Sequence, residues 1–187
     1  MNAATLSFDV FEFTGDNAQA RLSLDDTGGV VKFTVDNVNP ISDIRGVFFN
    51  ILNDSLLSDL TVTGTSVTGF QFGPAGMVSD LGNGANITPK KFDAGVEIGT
   101  PGIGKDDIHS TMFTVSRSSG VALSLAQFVN QDFGLRLTSV GSDRTGSSKL
   151  VGTAPSQPVP EPGTMAATGL IVAGYGLLKK KVLKRGV

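Results

Sequence analysis

The chain has no cysteine and no tryptophan, one tyrosine and one histidine, and only 17% of its 187 residues are charged. Each shortage excludes something. Without cysteine there is neither a disulfide framework nor a thiolate metal site, so a noncovalent core must hold the fold together. The side chains that most often stack on sugar rings are absent from the body, because the lone Tyr175 falls in the C-terminal apolar run. A lectin-like stacking site is therefore not expected. Basic residues are also scarce where they would matter for nucleic acid. Positions 1–160 carry ten basic and sixteen acidic side chains, a net of −6 that repels phosphate backbones, so no nucleic-acid partner is expected.

What is present argues for an ordered all-β body. Hydrophobic residues make up 40% of the chain and twelve are Phe, which separates it from disordered compositions. Period-two alternation, the signature of a strand with one buried face, runs through most of residues 5–141. Leu6, Phe8 and Val10 alternate with Ser7 and Asp9, and Leu22 and Leu24 lead into Asp25-Asp26-Thr27-Gly28-Gly29. Val31, Phe33 and Val35 follow, so this pair reads as a hairpin. Further strands are predicted at 46–52, 59–63, 66–72, 91–98, 111–116 and 134–140, and 121–129 is ambiguous in pattern, with one short helix as an alternative to a strand. The sum is an antiparallel β-sandwich of about eight or nine short strands, most Phe facing its core. Residues 73–90, rich in Gly, Asn and Ser, read as a surface excursion at one end, more simply a flexible connection than a binding loop.

Two sets of side chains in the body could carry chemistry. His109 could serve a secreted hydrolase, since triads are defined by geometry rather than order. No Gly-x-Ser-x-Gly elbow accompanies it, however, and its polar neighbours read as a loop. Asp36, Asn39 and Asp54 offer the hard oxygen ligands that Ca²⁺ takes, which leaves a calcium-dependent adhesin open. They lack EF-hand spacing, and Asx residues between strands also serve turns. The body is expected to be non-enzymatic and to need no cofactor.

The tail is organised differently. Residues 153–163 hold four prolines, Pro155, Pro158, Pro160 and Pro162, and read as an extended linker. Residues 164–178 are uncharged, and their apolar content rests on Met165, Leu170, Ile171, Val172, Tyr175, Leu177 and Leu178 after Thr164. Lys179, Lys180, Lys181, Lys184 and Arg185 follow with no acid among them. As a helix the run is about 22 Å long against a hydrocarbon core of about 30 Å, and snorkelling lysines over Val182 and Leu183 can make up length. The run lacks the polar face of an amphipathic helix packed on a domain. The cations place its C-terminal end in the cytoplasm and the body outside. The expected layout is an ectodomain at 1–152, a linker at 153–163, and a single transmembrane helix with its basic tail at 164–187.

Taken in order, Val159-Pro160-Glu161-Pro162, the apolar run and the basic terminus resemble the PEP-CTERM sorting signal. That tag is read by exosortase, a membrane-embedded cysteine transpeptidase-like protein of Gram-negative bacteria that make exopolysaccharide, cyanobacteria among them. The resemblance covers about residues 157–187. It implies that Pro160, Glu161 and Pro162 mark the recognition and processing site and that the tail anchors the chain in the inner membrane beforehand. It also implies delivery to the cell envelope or matrix, where exopolysaccharide is a neighbour. The Lys-Lys-Lys stretch stands where relatives more often carry Arg. Residues 43–49 and 132–141 resemble stretches of uncharacterised ectodomains of this class, which carry no known activity. Exported chains start with a signal peptide, and residues 1–6 have neither its positive nor its apolar region, so one is expected upstream.

Overall fold

The computed structural model describes residues 4–102, 105–156 and 159–160. Within them lie the strands β1 (Ala4–Gly15), β2 (Gln19–Asp25), β3 (Val31–Asn39), β4 (Asp43–Phe49), β5 (Leu60–Thr63) and β6 (Val67–Phe72). They continue with β7 (Ala94–Ile98), β8 (Ser110–Arg117), β9 (Asp132–Val140), β10 (Gly146–Thr153) and β11 (Val159–Pro160). One antiparallel sheet runs β5-β8-β3-β2-β1-β10-β9-β4-β7-β6, and β11 pairs with the start of β1.

Alternation builds the inner face as expected. Ala20, Leu22 and Leu24 of β2 and Val31, Phe33 and Val35 of β3 are all buried, while Arg21 and Lys32 point to solvent. The hairpin between them turns on Gly28 and Gly29, both in the left-handed region at φ +83° and +80°. Asp25 Oδ1 accepts from the Thr27 amide at 2.7 Å and so fixes the chain's entry into the turn.

The sheet closes on itself around a phenylalanine cluster. Phe33 on β3 and Phe49 on β4 are far apart along the strand order, yet their rings lie 5.1 Å apart. Phe113, Phe128 and Phe133 surround Phe33 at 4.8, 5.5 and 6.3 Å. The two end strands, β5 and β6, also approach each other, so the sheet is nearly a barrel. The all-β antiparallel class is as expected. Among the described residues the strands number eleven rather than eight or nine, and they belong to one bent sheet instead of two separately paired ones.

Two further expectations need correction. Residues 121–129 form only a 3-10 turn at Leu125–Gln127. Leu123, Leu125 and Phe128 need only dip into the core, and the Asp26 carboxylate takes the Leu125 amide, so a longer helix has no role there. The strand β10, between β1 and β9, has no counterpart among the predicted strands. Its sequence GSSKLVGT is too polar to register as alternation, because the buried Ser148 satisfies its hydroxyl on the Asp16 carbonyl at 2.7 Å.

Residues 73–92 are not a loose connection. They fold across the outer face of β9, β4 and β7, where Val78, Ile87 and Phe92 join Phe48 in a second apolar cluster. Glycines make the room. A Cβ on Gly134 would lie 2.8 Å from the Phe92 ring, and one on Gly95 would lie 3.0 Å from the Phe48 ring. The sheet therefore has apolar packing on both faces here.

At the β5–β8 end, Asp59 takes Arg117 Nε at 2.7 Å and the Ser119 hydroxyl at 2.6 Å. The Ser119 hydroxyl first, then Arg117, holds the Asp59 carboxyl below its usual value of 3.8. An acid held low in the folded chain contributes stability above its unfolded pKa and loses it as pH falls through the folded one. Asp59→Asn is thus expected to be less stable than the parent at pH 6, with the gap shrinking as pH falls below about 4. Urea midpoints across that range check this, and a pH-independent gap would show that the charge is not what matters.

Candidate functional site

Of the predicted sorting residues, only the backbone of Val159 and Pro160 is described; Glu161, Pro162, the apolar run and the basic cluster lie outside the described residues. Val159 pairs with Thr5 and Pro160 with Ala4, so the start of the Pro-Glu-Pro motif lies beside the first strand. Contacts of the body reach into the proline-rich stretch, since Ala154 is buried and its amide donates to Gln131 at 2.9 Å. No helix among the described residues is long and apolar enough to cross a membrane.

His109 sits at the entry to β8. Its Nδ1 lies 2.6 Å from the Ser42 carbonyl, which can only accept, so Nδ1 carries the proton. Its own carbonyl takes the Asn37 amide at 2.9 Å, and the residue thereby ties β8 to the β3–β4 corner. Among the described residues no serine hydroxyl or carboxylate bonds to its ring.

The calcium candidates occupy ordinary turn and strand positions. Asp36 accepts from the Ser110 hydroxyl at 2.6 Å, Asn39 ends β3, and Asp54 opens the 3-10 turn Asp54–Asp59. Among the described residues no group of three or more His, Asp or Glu side chains could hold a metal ion. A recess of about 400 Å³ opens between β5 and β6, lined by Val62, Thr63, Val67, Thr68 and Phe70, with no titratable side chain.

The densest polar chemistry lies on the outer face, under and beside residues 73–92. Arg45 is buried where the β4–β9 register slips, and it bonds Glu97 and the Ile98 carbonyl, with a further bond to the Gly99 carbonyl at 2.8 Å. Asn83 from the excursion completes this group, giving its carbonyl to Arg45 at 3.2 Å and its amide to Glu97 at 3.2 Å. Asp93 pins the other end, accepting the Ile51 amide at 3.0 Å and the Gly76 amide at 2.6 Å. Asp43 takes the Ile108 amide at 2.9 Å, and burial pushes its carboxyl above the usual range. Arg45, Glu97, Asn83 and Asp93 hold the excursion to the sheet, whereas Asp43 ties β4 to the segment ahead of β8.

Arg136 and Lys149 differ from them. They are direct cross-strand partners on β9 and β10, both half-buried, and neither forms an ion pair among the described residues. Lys149 Nζ reaches the Thr88 carbonyl at 2.7 Å, whereas Arg136 Nε is buried with no partner among the described residues. Sequence reasoning missed both. The only signal was Arg136 standing between Leu135 and Leu137, an outward position on a predicted strand. Its neighbour could not be seen without β10.

No protein-family model matches the chain, no curated protein is significantly similar to it, and no solved structure matches its fold.

Proposed function

We propose that the chain is an exported surface or matrix protein, carried to the envelope by a PEP-CTERM-type tail and serving a structural or binding role without catalysis. The observation that carries this reading is the order of parts in 159–185: a Pro-Glu-Pro motif, an uncharged run and a cluster of five cations. Each part has a physical use only beside the next. A weakly apolar run enters lipid, the cations stop it at the cytoplasmic face, and the proline-rich stretch keeps the motif extended for an enzyme at the outer face. The partners in this reading are exosortase and membrane lipid, with exopolysaccharide as the final surroundings.

The test is fractionation and intact-mass measurement in hosts with and without exosortase. With the enzyme, the product is expected to be shortened near Pro160–Pro162 and to leave the inner membrane. Without it, the chain stays full-length in the membrane fraction, and deleting 164–187 moves it to the soluble fraction. Equal mass and location in both hosts would overturn the proposal.

A further inference from the structure

The uncompensated cations on the outer face have a physical consequence that does not depend on the tail. A guanidinium taken out of water without a partner is a cost to the folded state, and folds keep such costs mainly where a site needs them. Arg136 is partly in that position: its Nε is buried with no hydrogen-bond partner among the described residues, and burial holds the group below the usual arginine range. Beside it, burial and then Arg136 itself lower Lys149, with only Asp80 acting in the opposite sense. Asp80 is otherwise engaged, accepting the Gly82 amide at 2.8 Å, and it bridges neither cation. Lys149 is held in place by Thr88 from the excursion, through both the carbonyl and the hydroxyl at 3.2 Å. On the neighbouring strand Gly46 is the β4 partner of Arg136, and the inserted Arg45 is already engaged by Glu97.

We infer that Arg136 and Lys149 form an oxyanion-binding site that takes a carboxylate group from an acidic ligand. Arg presents paired donors that match a carboxylate, and Lys supplies a second, compact charge. Two cations with Asp80 nearby leave a net of one positive charge, which favours a monoanion over a dianion such as sulfate. The sheet register sets Arg136 opposite Lys149 and Thr88 anchors the lysine, so the geometry of the pair is already set, which lowers the ordering cost of binding.

The test uses the full chain in a non-ionic detergent, titrated with sodium acetate, sodium sulfate or neutral methyl acetate at constant ionic strength. Binding is read from backbone amide NMR shifts. Acetate is expected to move the signals of residues 88, 136 and 149 saturably, with a Kd on the order of 10 mM. Arg136→Met and Lys149→Met should each weaken this at least tenfold, on the scale of about 1.4 kcal/mol. Removing an unpartnered charge should leave the melting temperature of Arg136→Met equal to or above that of the parent. Absence of saturable acetate shifts, or undiminished binding in Lys149→Met, would overturn the site. Binding of sulfate in preference to acetate would overturn the carboxylate assignment. A melting point clearly lowered in Arg136→Met would show that the residue is structural.

Discussion

Arg45→Met is expected to destabilise the fold by about 3–5 kcal/mol, the range found when one partner of a buried ion pair is removed. Arg45 and Glu97 are both buried, and Arg45 also bonds the Ile98 and Gly99 carbonyls and the Asn83 carbonyl. Removing the guanidinium leaves a carboxylate whose only other hydrogen bond among the described residues is from the Asn83 side-chain amide. For a chain of this size the loss corresponds to roughly 6–20 °C in melting temperature. The damage should spread outward, because Asn83 belongs to the excursion over β4 and β7. Amide exchange in 78–92 should accelerate more than in the β2–β3 hairpin. The double variant Arg45→Met/Glu97→Met should be less damaged than Arg45→Met alone, since the orphaned charge leaves with its partner. Strict additivity of the two single substitutions would show that the ion pair is not coupled.

Phe33→Ala is expected to cost about 3–5 kcal/mol for a different reason, the cavity left in a packed core. The ring is fully buried and meets the rings of Phe49, Phe113, Phe128 and Phe133. Phe113 lies on β8 beside it, Phe49 and Phe133 on β4 and β9 across the bent sheet, and Phe128 just after the 3-10 turn, so no single strand can move to fill the void. Phe70→Ala supplies the contrast: that ring is 47% exposed beside the seam, and its loss should stay below about 1 kcal/mol. Denaturant midpoints decide between them. Similar losses at the two positions would mean that the phenylalanine cluster is not what closes the sheet.

The legible parts of the fold were those in which one strand carries its own signal. In β2 and β3 the apolar residues alternate strictly, and Asp25 to Gly29 contain the acid and the two left-handed glycines that the turn requires. β10 was illegible because its inward positions are Ser148, Leu150 and Gly152. Small and polar residues suffice where two long neighbours bring the apolar surface. The excursion was misread for a related reason. Its Val78, Ile87 and Phe92 are too sparse to show a period, but all three converge on the patch around Phe48 left bare by Gly95 and Gly134.

Sequence alone determined the all-β class, the hairpin, the acidic body and the order of motif, apolar run and cations in the tail, because each depends on neighbours along the chain. Tertiary structure alone decided that the strands share one nearly closed sheet, that Arg45 meets Glu97, and that Arg136 stands beside Lys149 with no ion pair among the described residues. These last facts join residues 52 positions apart in one case and cross-strand partners in the other. Composition and local periodicity are blind to such pairings, since register is fixed only when the strands meet and bury a common face.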